Sequence, residues 1–381
     1  MTTASVLFAL LRAAVCGEVL DGAVVDACTP EILSGVYALA KQHDLAHLAA
    51  LGLEGQRVPD CVALKRLQEA KLRAIYRYAQ LDYAYEGLCQ TLEAAQIDYL
   101  PLKGSVLRRH YPQSWMRTSS DIDIMVREGD LEKAVAVLTK AGWAIQGEVN
   151  YHDISLMSPL GIHLELHFHI RENIARLDAV LDTAWQHSAP EAGHRYRMEE
   201  GFFLFHQVAH MAYHFLDGGC GIRPFLDLWI LGSCPAEGFG DLCREAGLER
   251  FWGQVWSLTE VWFGGGAHSS LTRQMEEFLL GGGVFGNLEN KTRMTEAVRG
   301  GGGNWRQRLI LPYELLKVRY PVLNRHRWLT PVFQVVRWFG KLDSKRLQRL
   351  LRMGKQKKEL SRGEIDNTKA FLAQVGLRDL R

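Results

Sequence analysis

The sequence predicts an α+β protein, with a strand-bearing core at residues 96–185 between an N-terminal helical region, 1–95, and a C-terminal helical region with a basic tail, 186–381. Three observations predict it. Apolar residues recur at helical spacing on both sides of the core, period-two alternation is confined to the stretch between about Ile97 and Ile170, and the composition supports a packed interior. At 381 residues the chain is long enough for two domains, or for one core with large helical additions. With 47% hydrophobic content disorder is not the default, and at a net charge of +2 any basic partner site must be local.

The first twenty residues read as an amphipathic helix rather than a leader peptide: they lack a basic start, Arg12 interrupts the apolar stretch, and Val15 stands where a small residue would. Helices continue to about Leu53, one opened by Thr29-Pro30-Glu31 as cap, first-turn proline and early acid. Val62 to Ala95 reads as one long helix with Leu81, Tyr85, Leu88 and Leu92 along a stripe, and its tyrosines 76, 78, 83 and 85 are expected in packing rather than at a ligand. Seven cysteines without C-x-x-C spacing argue against a disulfide framework and for a reducing, cytoplasmic setting. No apolar run approaches the roughly 18 residues of a spanning helix.

Ile97 to Leu102 then reads as a buried strand, broken by Gly104-Ser105 before a short helix-compatible stretch. Strand, Gly-Ser, helix is an arrangement that can seat phosphate: the glycine admits close approach of backbone and the serine supplies a hydroxyl. A strand follows in which Ile122, Ile124 and Val126 alternate with Asp121, Asp123 and Met125. Its two carboxylates lie roughly 6–7 Å apart on one face. They repel unless cations, hydrogen bonds or a proton hold them, and a divalent metal is the evident candidate. Asp130 is expected to cap a helix ending at Gly142, followed by strands at Tyr151 to Met157 and Gly161 to Ile170 joined by a turn. The second strand places His163, Glu165, His167 and His169 on one face, so Glu165 is a third acidic candidate. Four ligands along one strand span too far to close on one ion, and the three histidines are therefore expected to be structural or substrate-facing.

From Glu199 the pattern is helical again, with His206, His210 and His214 on one face as a polar stripe toward the cleft, and His167, His210 and His214 as cleft candidates. Arg223 and Asp227, four residues apart, are expected to pair. Glycine runs at 264–266, 281–283 and 300–303 read as loops, and the tail after Gly354 as loosely ordered. The basic stretches RHRWLTPVFQVVRWFGKL and KRLQRLLRMGKQKK are expected to pack an apolar face onto the helical domain, with lipid or nucleic-acid contact as alternatives.

The order Gly-Ser, Asp-x-Asp strand, later acidic strand resembles the nucleotidyltransferase superfamily of the DNA polymerase β type. More closely, LPLKGSVLRRHYPQSWMRTSSDIDIMV, GIHLELHFHI, the His210 and His214 helix leading into RPFLDL, and LKVRYPVLNRHRWLTPV resemble the bacterial stand-alone nucleotidyltransferases, a poorly characterised family. The resemblance implies a small mixed sheet and metal-dependent transfer of a nucleoside monophosphate, with ATP as expected donor, to an unknown hydroxyl acceptor. Asp121, Asp123 and Glu165 would hold Mg²⁺ or Mn²⁺. Gly104 and Ser105 would seat the triphosphate, with Lys103 or Arg117 adding positive charge. Glu165 departs from the superfamily's usual Asp, and its role as metal ligand or base stays open. The alternative is a catalytically silent member that binds a nucleotide or a partner. The acceptor and the oligomeric state are not specified by the sequence, and the balanced net charge disfavours bulk nucleic acid.

Overall fold

The computed structural model describes residues 1–149, 152–232, 236–284, 286–298, 311–340, 352 and 360–380. Most of the basic tail, the glycine run 300–303 and Cys234 lie outside the described residues. Seven strands form one mixed sheet: β1 Tyr99–Pro101, β2 Asp121–Val126, β3 Ala144–Val149, β4 Asp153–Met157, β5 His163–His167, β6 Ser188–Ala192 and β7 Arg195–Met198, in the spatial order β3-β4-β5-β2-β1-β7-β6. β2 runs parallel to β5 and antiparallel to β1, while β1 runs parallel to β7. Three strands exceed the sequence reading. β3 is a short strand broken in register, and β6 carries Pro190, which is tolerated because β6 is a sheet edge.

One face of the sheet is dry. Ile122, Ile124, Leu164 and Leu166 are fully buried there against Leu88 and Leu92 of the helix Val62–Ala94 and Leu138 of the helix Leu131–Lys140. The long helix starts where the sequence predicts, but Tyr76 and Tyr83 are 67% and 71% exposed and are not packed. They lie off the Leu81, Leu88, Leu92 stripe that meets the sheet. Asp130 stands at a helix start yet makes no capping hydrogen bond, because a 3₁₀ turn at Glu128–Asp130 leads into the helix. Thr29 caps as expected, its hydroxyl accepting from the Ile32 amide.

The helices before and after the sheet share a second apolar cluster. Phe8 of the helix Thr3–Cys16 stacks on Trp262 at 4.8 Å between ring centroids, and Arg12 donates to the Trp262 carbonyl. The described cysteines are all free. Among the described residues no helix is long and apolar enough to cross a membrane. The helix Ala46–Gly52 crosses Thr3–Cys16 at Gly52, where a Cβ would stand 2.3 Å from the Leu10 carbonyl oxygen. Because that neighbour is backbone and cannot turn aside, Gly52→Ala is expected to cost about 1–3 kcal/mol in urea denaturation.

The stretch 313–340 departs from expectation. It packs on the sheet's dry face through Leu315, Leu316 and Leu323, with Phe333 against them, and not on the helical cluster. The helix Thr330–Gly340 turns Gln334 and Arg337 inward and leaves Val332, Val335, Val336 and Trp338 exposed.

Candidate active site

The other face of the sheet carries the charge. β2 and β5 pair in register, Asp121 beside His163 and Asp123 beside Glu165, so two alternating strands lay their polar residues side by side. Ligating atoms of Asp121, His163 and Glu165 lie within 4.8 Å of one another, as do those of Asp123, Glu165 and His167. Glu165 belongs to both groups. Four side chains along β5 alone are too spread to share one ion, but the candidate groups span β2 and β5 and use at most two residues of β5. Carboxylate and imidazole donors this close together could hold a divalent cation.

The electrostatics separate the two aspartates. Burial alone would raise the Asp123 carboxyl, yet Lys103 Nζ at 3.5 Å and His167 Nε2 at 3.2 Å hold it well below the usual carboxylate range. Asp121 is pushed upward by burial and by the charges of Asp123 and Glu165. Burial would lower His167, but its hydrogen bonds to Asp123 and Glu165 raise it to about 9, so without a metal the imidazole is cationic at neutral pH, and it would release a proton on ligating one. Lys103 is likewise raised, against its own burial, by Asp123, Glu172, Glu165 and Asp121. Two protein cations thus stand among the acids. Lys103 holds φ 38°, a region that side chains disfavour, and such strain is characteristic of functional sites.

Lys103 and Gly104 reach the cleft at the start of the short helix Lys103–Leu107. A Cβ at Gly104 would stand 2.8 Å from Ser119 Oγ, so this glycine permits the helix start and the Ser119 segment to approach each other closely. Ser105 is buried, its hydroxyl has no hydrogen-bond partner among the described residues, and it does not line the cleft. Ser119 and Ser120, not singled out in the sequence, both line it and donate to the Asp121 carboxylate. Arg117 borders the cleft, but its Nε donates to Asp227 at 2.6 Å. Asp227 therefore pairs with Arg117 rather than with Arg223, which reaches Asp44 at 2.8 Å. The helical i,i+4 rule proposed the wrong partner because burial favoured a pair formed across elements.

The facing wall is the helix Glu200–Leu216. His206, His210 and His214 all line the same cavity of about 390 Å³. Glu172, also missed in the sequence, accepts from His210 Nδ1 at 2.7 Å, and His210 meets His214 at 3.0 Å between Nε2 atoms. Burial would raise Glu172, but His210 and Lys103 hold it down at about 2. It lies in an irregular stretch after β5, where no periodicity marks it. His169 lies past the end of β5, within 3.5 Å of Glu128 and Asp182, and does not join the acidic cluster.

His206 is fully buried, neither ring nitrogen has a hydrogen-bond partner among the described residues, and burial with the charges of Lys103 and His210 lowers it to about 3. An unfolded chain takes up that proton near pH 6.5, whereas the folded chain takes it up only near pH 3. Between those values the unfolded state binds more protons, so stability falls as pH falls. Urea titrations at pH 7 and pH 5 should show His206→Phe losing about 2 kcal/mol less than wild type over that interval.

A family model described as uncharacterised nucleotidyltransferase matches residues 33–264, a span containing the acidic cluster and its facing helix. No curated protein and no solved structure matches the chain. With the family model covering more than half of its length, the chain belongs to the uncharacterised nucleotidyltransferase family.

Proposed function

We propose that the protein moves a nucleoside monophosphate, AMP from ATP, onto a hydroxyl acceptor with release of pyrophosphate, using Mg²⁺ or Mn²⁺ held by Asp121, Asp123 and Glu165. The observation that carries the reading is the pair of ligand sets sharing Glu165. Bound there, divalent cations would neutralise the triphosphate and stabilise the entering and leaving oxygens of an in-line displacement. Asp121 and Asp123 orient that charge. Gly104, next to the cluster, lets the triphosphate approach the backbone, with Ser105 behind it, and Lys103 and Arg117 add positive charge on that side. Glu165 would accept the acceptor's proton, while His210, held by Glu172, lines the facing wall.

Lys103 and His167 favour a catalytically silent nucleotide binder, since both already pair with Asp123. Incubation with each labelled NTP, Mg²⁺ or Mn²⁺ and a lysate fraction separates the readings. Active transfer gives a labelled acceptor that requires the divalent ion. Nucleotide binding without label transfer for any NTP would favour the silent reading, and metal-independent labelling would remove the proposed mechanism.

A further inference from the structure

The helix Thr330–Gly340 buries polar side chains beside Phe333 and leaves most of its apolar ones outside. A helix laid on a protein core normally buries its apolar stripe and shows its polar one. Here Gln334 is 7% exposed and exchanges hydrogen bonds with the Leu311 main chain, and Arg337 is 6% exposed. The outward face presents Val332, Val335, Val336 and Trp338, extended by Trp328, 74% exposed, from the preceding turn. The inward polar groups fix this orientation, so the apolar face is held toward solvent by the fold itself.

The chain that leads into the helix and follows it is basic. Arg325, His326 and Arg327 are exposed at the helix's approach. In the sequence, 325–358 contains eleven lysines and arginines and a single acid, Asp343. Tryptophan and valine beside arginine match the layered chemistry of a bilayer surface, where indoles sit at headgroup level, aliphatic groups reach the acyl boundary, and cations meet anionic headgroups. Nucleic acid would use the arginines and stack on the indoles, but has no use for three exposed valines. With no helix among the described residues able to span a membrane, contact through this helix would be peripheral.

We infer that the Trp328 to Trp338 face docks the protein on anionic lipid bilayers. The full-length chain is sedimented with vesicles of phosphatidylcholine alone, or of an equal mixture with phosphatidylglycerol. Binding should be confined to the anionic vesicles and weaken with added salt. Trp328→Ser with Val336→Ser should weaken it about tenfold or more. Arg325→Glu should weaken it about fivefold or more. Both variants should keep the wild-type circular dichroism and melting, because the substituted side chains are exposed. Absence of sedimentation with anionic vesicles, equal binding to neutral ones, or full binding by the serine variant would overturn the inference. So would light scattering that shows a dimer lost in the serine variant while wild type ignores vesicles, which would assign the face to a second copy. Capture of an oligouridine RNA in place of vesicles would assign it to nucleic acid and overturn it equally.

Discussion

The double variant Asp121→Asn, Asp123→Asn should lose divalent-dependent ATP binding and lower nucleotidyl transfer by about 10³-fold or more, with its circular dichroism unchanged. The magnitude follows from the several kcal/mol that metal-centred charge stabilisation contributes to such displacements, each 1.36 kcal/mol being a factor of ten. The single variants should move metal-free stability in opposite directions. Asp121 is raised by burial and by like charges, so removing its charge relieves repulsion and should raise the melting temperature. Asp123 is buried yet held ionised by Lys103 and His167, so Asp123→Asn strands two cations and should lower it. Saturating Mn²⁺ should raise the wild-type melting temperature and leave that of the double variant unchanged. Equal Mg·ATP binding by the double variant and wild type would refute the metal assignment.

The acidic strand was legible because alternation is a local property: Ile122 and Ile124 inward force Asp121 and Asp123 outward, and the same holds for Leu164, Glu165 and Leu166. What alternation does not contain is the neighbour. That β5 lies beside β2, parallel and with Glu165 opposite Asp123, depends on long-range pairing. That register brings His163 and His167 to the acids. The same limit explains Glu172, placed by an irregular segment, and Asp227, whose partner is 110 residues away in the chain. In VFQVVRWF apolar residues lie all round the helix, so composition alone does not decide which side meets the core. Hydrogen bonding of Gln334 to Leu311 does.

Asp227→Ala should lower the unfolding free energy by about 3–5 kcal/mol, the range for removing one partner of a buried ion pair. Its carboxylate side chain is 5% exposed and that of Arg117 is 9% exposed. Two donors converge on one oxygen, Arg117 Nε at 2.6 Å and the Tyr111 hydroxyl at 2.8 Å. Alanine leaves a buried guanidinium without its counter-charge and a buried phenol without its acceptor. Replacing both charges, Arg117→Met with Asp227→Leu, should recover part of the loss, since no unpaired ion then remains. The pair also has a bearing on chemistry. Arg117 donates to the Thr118 carbonyl, Thr118 donates to Asp44, and Arg223 pairs with Asp44, fixing the chain just ahead of Ser119, Ser120 and Asp121. Asp227→Ala should therefore reduce transfer in the fraction that remains folded, and the apolar double variant should recover stability more fully than activity. Equal recovery of both would show that the network stabilises the fold without positioning the Asp121 strand.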